Sequence, residues 1–340
     1  MVANFNRAYK LTIARKDALI SKVKNDEVFS GGIQENYLTE ERQSLVFTQH
    51  QMTADIDYTR KSKNGINGPA KITLYNLSED TLNQIKEEDT VYLEAGYIDQ
   101  IEDLPLLFLG DIEAISTVEK GTELITTIFC RDSRNTLTNL RVSGVAPPNT
   151  TYGDAIQGLL TFLGDNGLPT GIFHRDPIEN ILQINTVPNS IISNLNLNGN
   201  PTSRTLINGR NYEGNALKEL QDLVAEVNYE MYISLGKIYV VPKRSLYGSV
   251  VRRDTLTIEK RHLKAPIRSK KDSTGSSFKE KGKVGVVINT SLDGRIKTDL
   301  LDIELNTDDG YAGTYDVVHV KHALDYEGSK WDTIASIASR

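Results

Sequence analysis

Cysteine is almost missing from this chain of 340 residues: Cys130 stands alone. One thiol can neither close a disulfide within the chain nor build a cysteine-rich metal site, and such usage implies synthesis in a reducing cytosol. Long apolar runs are missing as well. The longest candidate, Leu104-Pro-Leu-Leu-Phe-Leu109, falls far short of the roughly 20 residues that a membrane-spanning helix requires. The opening residues, Met1-Val-Ala-Asn-Phe-Asn-Arg-Ala-Tyr9, lack the apolar core of a secretory signal.

Catalytic signatures are equally scarce. The chain has no Gly-x-Ser-x-Gly elbow, no His-Glu-x-x-His and no Walker A loop. It holds five histidines, His50, His174, His262, His319 and His322. His319 and His322 are three apart within a strand pattern, which aims them at opposite faces and argues against a shared metal. Asn306-Thr-Asp-Asp-Gly310 has calcium-like residue types without the loop order or the twelfth-position glutamate, and reads as a hairpin turn. Glu87-Glu88 reads as a solvated helix end, and Cys130, after an apolar strand run, as a buried and inert thiol. The expectation is a chain with no catalytic residue, no metal and no cofactor, that is, not an enzyme.

What is present describes an ordinary globular protein. Hydrophobic residues make up 39% and charged residues 25%, within the range that supports packed cores, and the length allows two to four domains. The net charge of −6 conceals an asymmetry: residues 243–283 carry thirteen Lys or Arg against four Asp or Glu, leaving −15 for the remainder. A basic stretch can bind nucleic acid. This one lacks interleaved aromatics and contains Lys270-Lys-Asp-Ser-Thr-Gly-Ser-Ser277, so it reads as a solvated loop or a protein contact.

Along the chain, Tyr9-Lys-Leu-Thr-Ile13, Ser44-Leu-Val-Phe47 and Met52-Thr-Ala-Asp-Ile-Asp-Tyr58 carry strand character, with a polar excursion over 14–43. After Ala70-Lys-Ile-Thr-Leu-Tyr-Asn-Leu-Ser78 the pattern turns helical to Glu88, with Ser78 as N-cap and Leu82 and Ile85 on one face. Val91-Tyr-Leu-Glu-Ala-Gly-Tyr97 follows, then a hairpin closing at Lys120-Gly121. Thr151 and Asn215 open two further helices, and Tyr229 to Val241 reads as a hairpin about Gly236. The last hundred residues return to strands. Asp111-Ile-Glu-Ala-Ile115 resembles Asp316-Val-Val-His-Val320, and Gly121-Thr-Glu-Leu-Ile-Thr-Thr-Ile128 resembles Gly328-Ser-Lys-Trp-Asp-Thr-Ile-Ala335, an echo that points to a duplicated hairpin. The expected division is 1–145 and 246–340 as barrel-like β domains, with small helix-plus-strand domains at 146–210 and 211–245.

The runs from Ala70 to Ser78, Val91 to Tyr97 and Leu107 to Ile112 resemble the N-terminal domain of bacteriophage baseplate hub proteins of the late-control-D family, which is also found at the base of type VI secretion spikes. Gly313-Thr-Tyr-Asp-Val-Val-His-Val-Lys-His322 with Gly328-Ser-Lys-Trp-Asp-Thr333 is similar to that family's closing signature, and Glu213-Gly-Asn-Ala-Leu-Lys-Glu-Leu220 to its second small domain. The resemblance covers about two-thirds of the chain and rests on the order of its pieces. It implies a β-rich α+β fold with two tail-tube-like barrels flanking the small domains. It further implies a homotrimer adapting a six-fold tail tube to a three-fold central spike. The implied partners are further copies of the chain, the tube protein, the spike protein, wedge or sheath-initiator proteins, and genomic DNA passing without specific binding. The implied place is the virion tail baseplate, after synthesis in the host cytoplasm. Tyr75, Asn76, Tyr97, Lys270, Lys271, Tyr315 and Trp331 are the interface candidates. A tail-tip or type VI-like spike-base binding module, and a tail-associated cell-wall hydrolase, remain as alternatives.

Overall fold

Apolar residues at every second position become strands in most places where the sequence carries them. The computed structural model of the chain describes residues 7–15, 44–59, 68–97, 104–132, 140–173, 201–242, 254–269, 285–298 and 301–339. Most of the 14–43 excursion and most of the basic 243–283 stretch lie outside the described residues. The chain divides into two compact units where four parts are expected: Met1–Arg134 with Asp254–Arg340, and Asn135–Arg253.

The first unit is built on one sheet. Its strands, numbered along the chain, are β1 (Arg7–Ala14), β2 (Ser44–Phe47), β3 (Met52–Thr59), β4 (Pro69–Tyr75), β5 (Thr90–Tyr97), β6 (Leu106–Lys120) and β7 (Glu123–Arg131), then β15 (Asp254–Glu259), β16 (Arg268–Ser269), β17 (Gly285–Ser291), β18 (Leu301–Asn306), β19 (Gly313–Asp325) and β20 (Trp331–Ser339). The order is β16-β17-β20-β19-β3-β4-β7-β6-β5-β1-β2, with β18 on β19 and β15 on β18. The two ends of the chain therefore share a sheet, joined where β19 pairs antiparallel with β3 from His319–Thr59 to Asp325–Thr53.

Within that sheet one four-strand pattern occurs twice. The first copy runs β4-β7-β6-β5 and the second β17-β20-β19-β18, in the same chain order. Ile72 faces Ile128, and Ile288 faces Ala335, at matching points of the outer pairs. Thr90 faces Asp111, and Asp302 faces Asp316, at matching points of the inner pairs. The hairpins agree through an irregularity: the β6–β7 register slips between Ile112 and Ala114, and the β19–β20 register slips between Val317 and His319. A bulge puts one extra residue into one strand, so Glu113 and Val318 occupy the same special position. Beyond the bulge, Ile115 faces Ile128 and Val320 faces Ala335. The chain leaves each first strand alike, with the Asn76 amide bonded to the Leu124 carbonyl (2.7 Å) and the Leu292 amide to the Trp331 carbonyl (3.0 Å). The echo seen in the sequence is thus part of a larger repeat.

The helix expected from Ser78 to Glu88 is one turn, α1 (Glu79–Leu82), capped as predicted by the Ser78 hydroxyl accepting from the Thr81 amide. It stops because Asp89 takes the Lys86 amide at 2.9 Å and Glu88 adopts a left-handed backbone (φ 71°), turning the chain into β5. Asn306 to Gly310 does form the connection between β18 and β19, with Gly310 at φ 82°.

The second unit holds β8 (Arg141–Ala146), β9 (Thr150–Thr151), α2 (Tyr152–Asp165), β10 (Thr170–Phe173), β11 (Thr205–Leu206), β12 (Arg210–Asn215), α3 (Ala216–Glu226), β13 (Tyr229–Ser234) and β14 (Lys237–Pro242). Thr151 and Asn215 cap the helices by accepting from the Asp154 and Lys218 amides. Ile156, Leu160 and Leu163 of α2 share one core with Leu220, Leu223 and Val224 of α3 and with Ile233, Ile238 and Val240 of the hairpin. One core therefore spans the 146–210 and 211–245 segments. The β13–β14 turn at Leu235-Gly236 takes two positive φ values, 49° and 69°, the geometry that a two-residue hairpin favours.

Candidate assembly edges

The two hairpins of the repeat are alike in register and opposite in surroundings. In the second copy, β3 covers the outer side of β19 from His319 onward, and Val320, His322 and Leu324 are buried. In the first copy, β5 covers β6 only as far as Asp111, with one further pair of backbone bonds at Ile112. From Ala114 to Lys120 no described strand lies on the outer side of β6, and most of that arm is exposed. Val118, 58% exposed, matches Ala323, 9% exposed. Phe129, on the same hairpin, is also exposed.

The covered arm shows what a filled edge provides. Lys321 reaches Asp55 at 3.0 Å and His319 reaches Asp57 at 2.6 Å, both across the β19–β3 seam. His322 bonds Thr333 through Nδ1 at 2.9 Å and lies edge-on to Tyr58. Burial there lowers its pKa to about 4, so the ring is neutral in the fold; Asp293 opposes that shift and Lys297 adds to it. The matching pair in the open arm, Thr117 and Thr126, is 3.4 Å apart and carries no titrating group.

The predicted interface residues are scattered. Tyr75 is half-buried at the end of β4, where its carbonyl accepts from the His50 ring. Asn76 beside it is exposed, left-handed (φ 55°), and uses its side-chain oxygen to hold the Leu124 amide at 2.9 Å. Tyr97 is buried at the end of β5, opposite Arg7. Tyr315 is buried at one end of the β19–β20 hairpin, donating to the Tyr311 carbonyl at 2.8 Å. Trp331, at the hairpin's other end, is fully buried. Its ring meets the Arg7 guanidinium at 5.6 Å and Tyr326, and Arg7 bonds the carbonyls of Asp325 and Gly328. Within the chain it has no surface to offer a partner; aromatic bulk marked it, and core packing uses it. Lys270 and Lys271 lie outside the described residues. Sequence reasoning missed the β6 arm as an edge, since Ala114-Ile-Ser-Thr-Val-Glu-Lys120 shows strand character but not what lies beside it.

Among the described residues no group of three or more His, Cys, Asp or Glu is placed to hold a metal ion. No helix among them is long and apolar enough to cross a membrane. His319 is part-exposed at Asp57 while His322 is buried, so the two do point apart. Cys130 is buried in β7, and desolvation pushes its thiol well above the ordinary range. In the second unit, Arg210 joins Glu226 (2.6 Å) and Glu219 (3.4 Å), and Tyr152 donates to the same Glu226 at 2.8 Å, tying α2 to α3.

No protein-family model matches the chain, and no curated protein matches its sequence. Solved structures do match its fold. A tail protein from Neisseria meningitidis MC58 aligns over 97% of this chain and 96% of its own, with a TM-score of 0.54 and 8% identity. The 43 kDa tail protein of prophage MuSo2 from Shewanella oneidensis aligns over 98% of both chains, with a TM-score of 0.55 and 8% identity. A chain of the half-lidded Francisella PdpA-VgrG complex aligns over 98% of this chain and 58% of its own, at a TM-score of 0.50 and 9% identity. The chain has the mostly β fold of tail proteins, from one end to the other.

Proposed function

We propose that this protein is a structural component of a phage tail: a baseplate hub whose trimer presents six similar units to the tail tube and three-fold symmetry to a central spike. The observation that carries the reading is the repeated four-strand unit, identical in register and bulge, inside a chain whose whole length has a tail-protein fold. Two such units per chain give three chains a pseudo-six-fold ring, and heterologous contacts close such rings. The trimer would line the channel through which DNA passes. Its partners would be the tube protein on one face, the spike on the other, and wedge or sheath-initiator proteins outside. The role is structural, without a catalytic centre, and the place is the virion baseplate.

Native mass measurement together with negative-stain micrographs tests this. The expected result is a trimer whose averaged views have six-fold features at low resolution. A particle of another symmetry overturns the hub reading. The likeness to a chain of a PdpA-VgrG complex supports a second reading, a spike-base module of the type VI kind. Co-purification with tail tube and sheath from a lysate of phage particles favours the first reading over the second.

A further inference from the structure

The repeat leaves one seam made and a matching seam open. Inside the chain, the outer side of β19 in the second copy pairs with β3, the strand that flanks β4 of the first copy. By the same succession, the outer side of β6 in the first copy would meet β16, the strand that flanks β17 of the second copy. Both of those edges are open among the described strands: β6 from Ala114 to Lys120, and β16 on the side away from β17. The match of β16 to β3 is fixed by register. Asp55 faces Lys71 one residue before Ile72, and Arg268 faces Val287 one residue before Ile288. Ile72 and Ile288 are equivalent because each faces its own equivalent residue, Ile128 or Ala335.

We propose that the outer edge of β6 takes the β16 edge of a second copy of this chain, antiparallel, in the register of the β3–β19 seam. This rests on the trimer reading above and names its contact. Within the chain His322, Ala323 and Leu324 face Ile56, Asp55 and Ala54. Transferred to the equivalent residues, Thr117 faces Ser269, Val118 faces Arg268 and Glu119 faces Ile267 of the neighbour. The pairing satisfies the backbone groups of two open edges, which otherwise invite irregular association. It covers exposed Val118. Because β6 and β16 belong to different copies of the repeat, the contact is heterologous, and repeating it three times closes a ring of six units.

Disulfide trapping tests the register. Two full-length variants carry Thr117→Cys with Ser269→Cys, or Val118→Cys with Arg268→Cys. Successive antiparallel pairs alternate between wide and close spacing, so one of the two falls on the close geometry that a disulfide needs. Cys130 is buried and stays out of the reaction. On oxidation, at least one variant should give covalent species that stop at three chains, while Thr117→Cys with Arg268→Cys, one residue out of register, should not. Hydrogen exchange at amides 114–120 should slow by about tenfold or more on assembly. A trimer that forms, yet yields no in-register cross-link and no protection of those amides, overturns this contact and leaves the hub reading standing. A chain that stays monomeric at its highest soluble concentration, with no cross-link, overturns both.

Discussion

The β6–β7 and β19–β20 hairpins share a register, a bulge and a cross-strand polar pair, yet one arm is open and the other is sealed. The difference comes from what lies alongside: β3 sits against β19, and no described strand sits against the outer part of β6. Backbone pairing is therefore common to both copies, and side-chain composition follows the neighbour. Where β3 covers the edge the arm reads Val320, His322, Leu324; where it is bare the arm reads Ile115, Thr117, Glu119. A duplicated frame keeps its hydrogen bonds and changes its faces.

Matched substitutions in the two copies sharpen the contrast. The largest effect belongs to Trp331→Ala, which empties a fully buried site and should cost about 3–5 kcal/mol, while Leu124→Ala at the equivalent, half-exposed position should cost about 1 kcal/mol. Urea unfolding midpoints of the two variants check this, and equal losses would break the contrast.

The buried His322 ring should make the protein sensitive to acid. Its pKa is lowered to about 4 in the fold against an ordinary 6.5, so the unfolded chain binds the extra proton first. Its contribution to stability is complete above about pH 6.5, falls as the pH drops through the interval, and levels off below about pH 4, at a total of about 3 kcal/mol. His322→Gln should flatten that slope, and Thr117→Gln should leave it unchanged, as read from denaturation across the pH range. Thr333→Val strips a partner from both His322 and the Asp293 amide and should cost about 2 kcal/mol, whereas Thr126→Val should cost less than about 1 kcal/mol. The smallest effect is expected from Lys321→Ala: its pair with Asp55 is well exposed on both sides and should contribute at most about 0.5 kcal/mol. Thermal melts of that variant should lie close to the parent's.

Local chemistry was legible in the sequence. Ser78 and Thr151 each cap the helix that their side chains and following residues announce, the other helix starts at Asn215 as read, and the Leu235-Gly236 turn closes the predicted hairpin. Tertiary partners were not. The β8 strand ends at Ala146 before two prolines, and its partner β12 begins at Arg210, so neither alternation nor turn residues link them. The seam between β3 and β19 joins residues more than 250 positions apart in the chain, and its apolar residues read equally well as two separate barrel walls. Of the candidate site, the duplicated hairpin could be seen in advance. The open arm could not, because an edge is defined by what fails to pair with it. Aromatic residues drew attention instead, and Tyr97, Tyr315 and Trp331 turn out to be buried.

The shared bulge at Glu113 and Val318 sets the phase of each arm. Ile112 and Ile115, like Val317 and Val320, are three apart in the chain, yet they pair with residues two apart on the partner strand and so share a face. Losing Glu113 or Val318 alone would leave those later pairs as they are. Losing one residue further along, Ser116 or Lys321, would instead turn Thr117 and Glu119, or His322 and Leu324, to the opposite face. The bulge is thus the one point at which each arm can give up a residue without turning over.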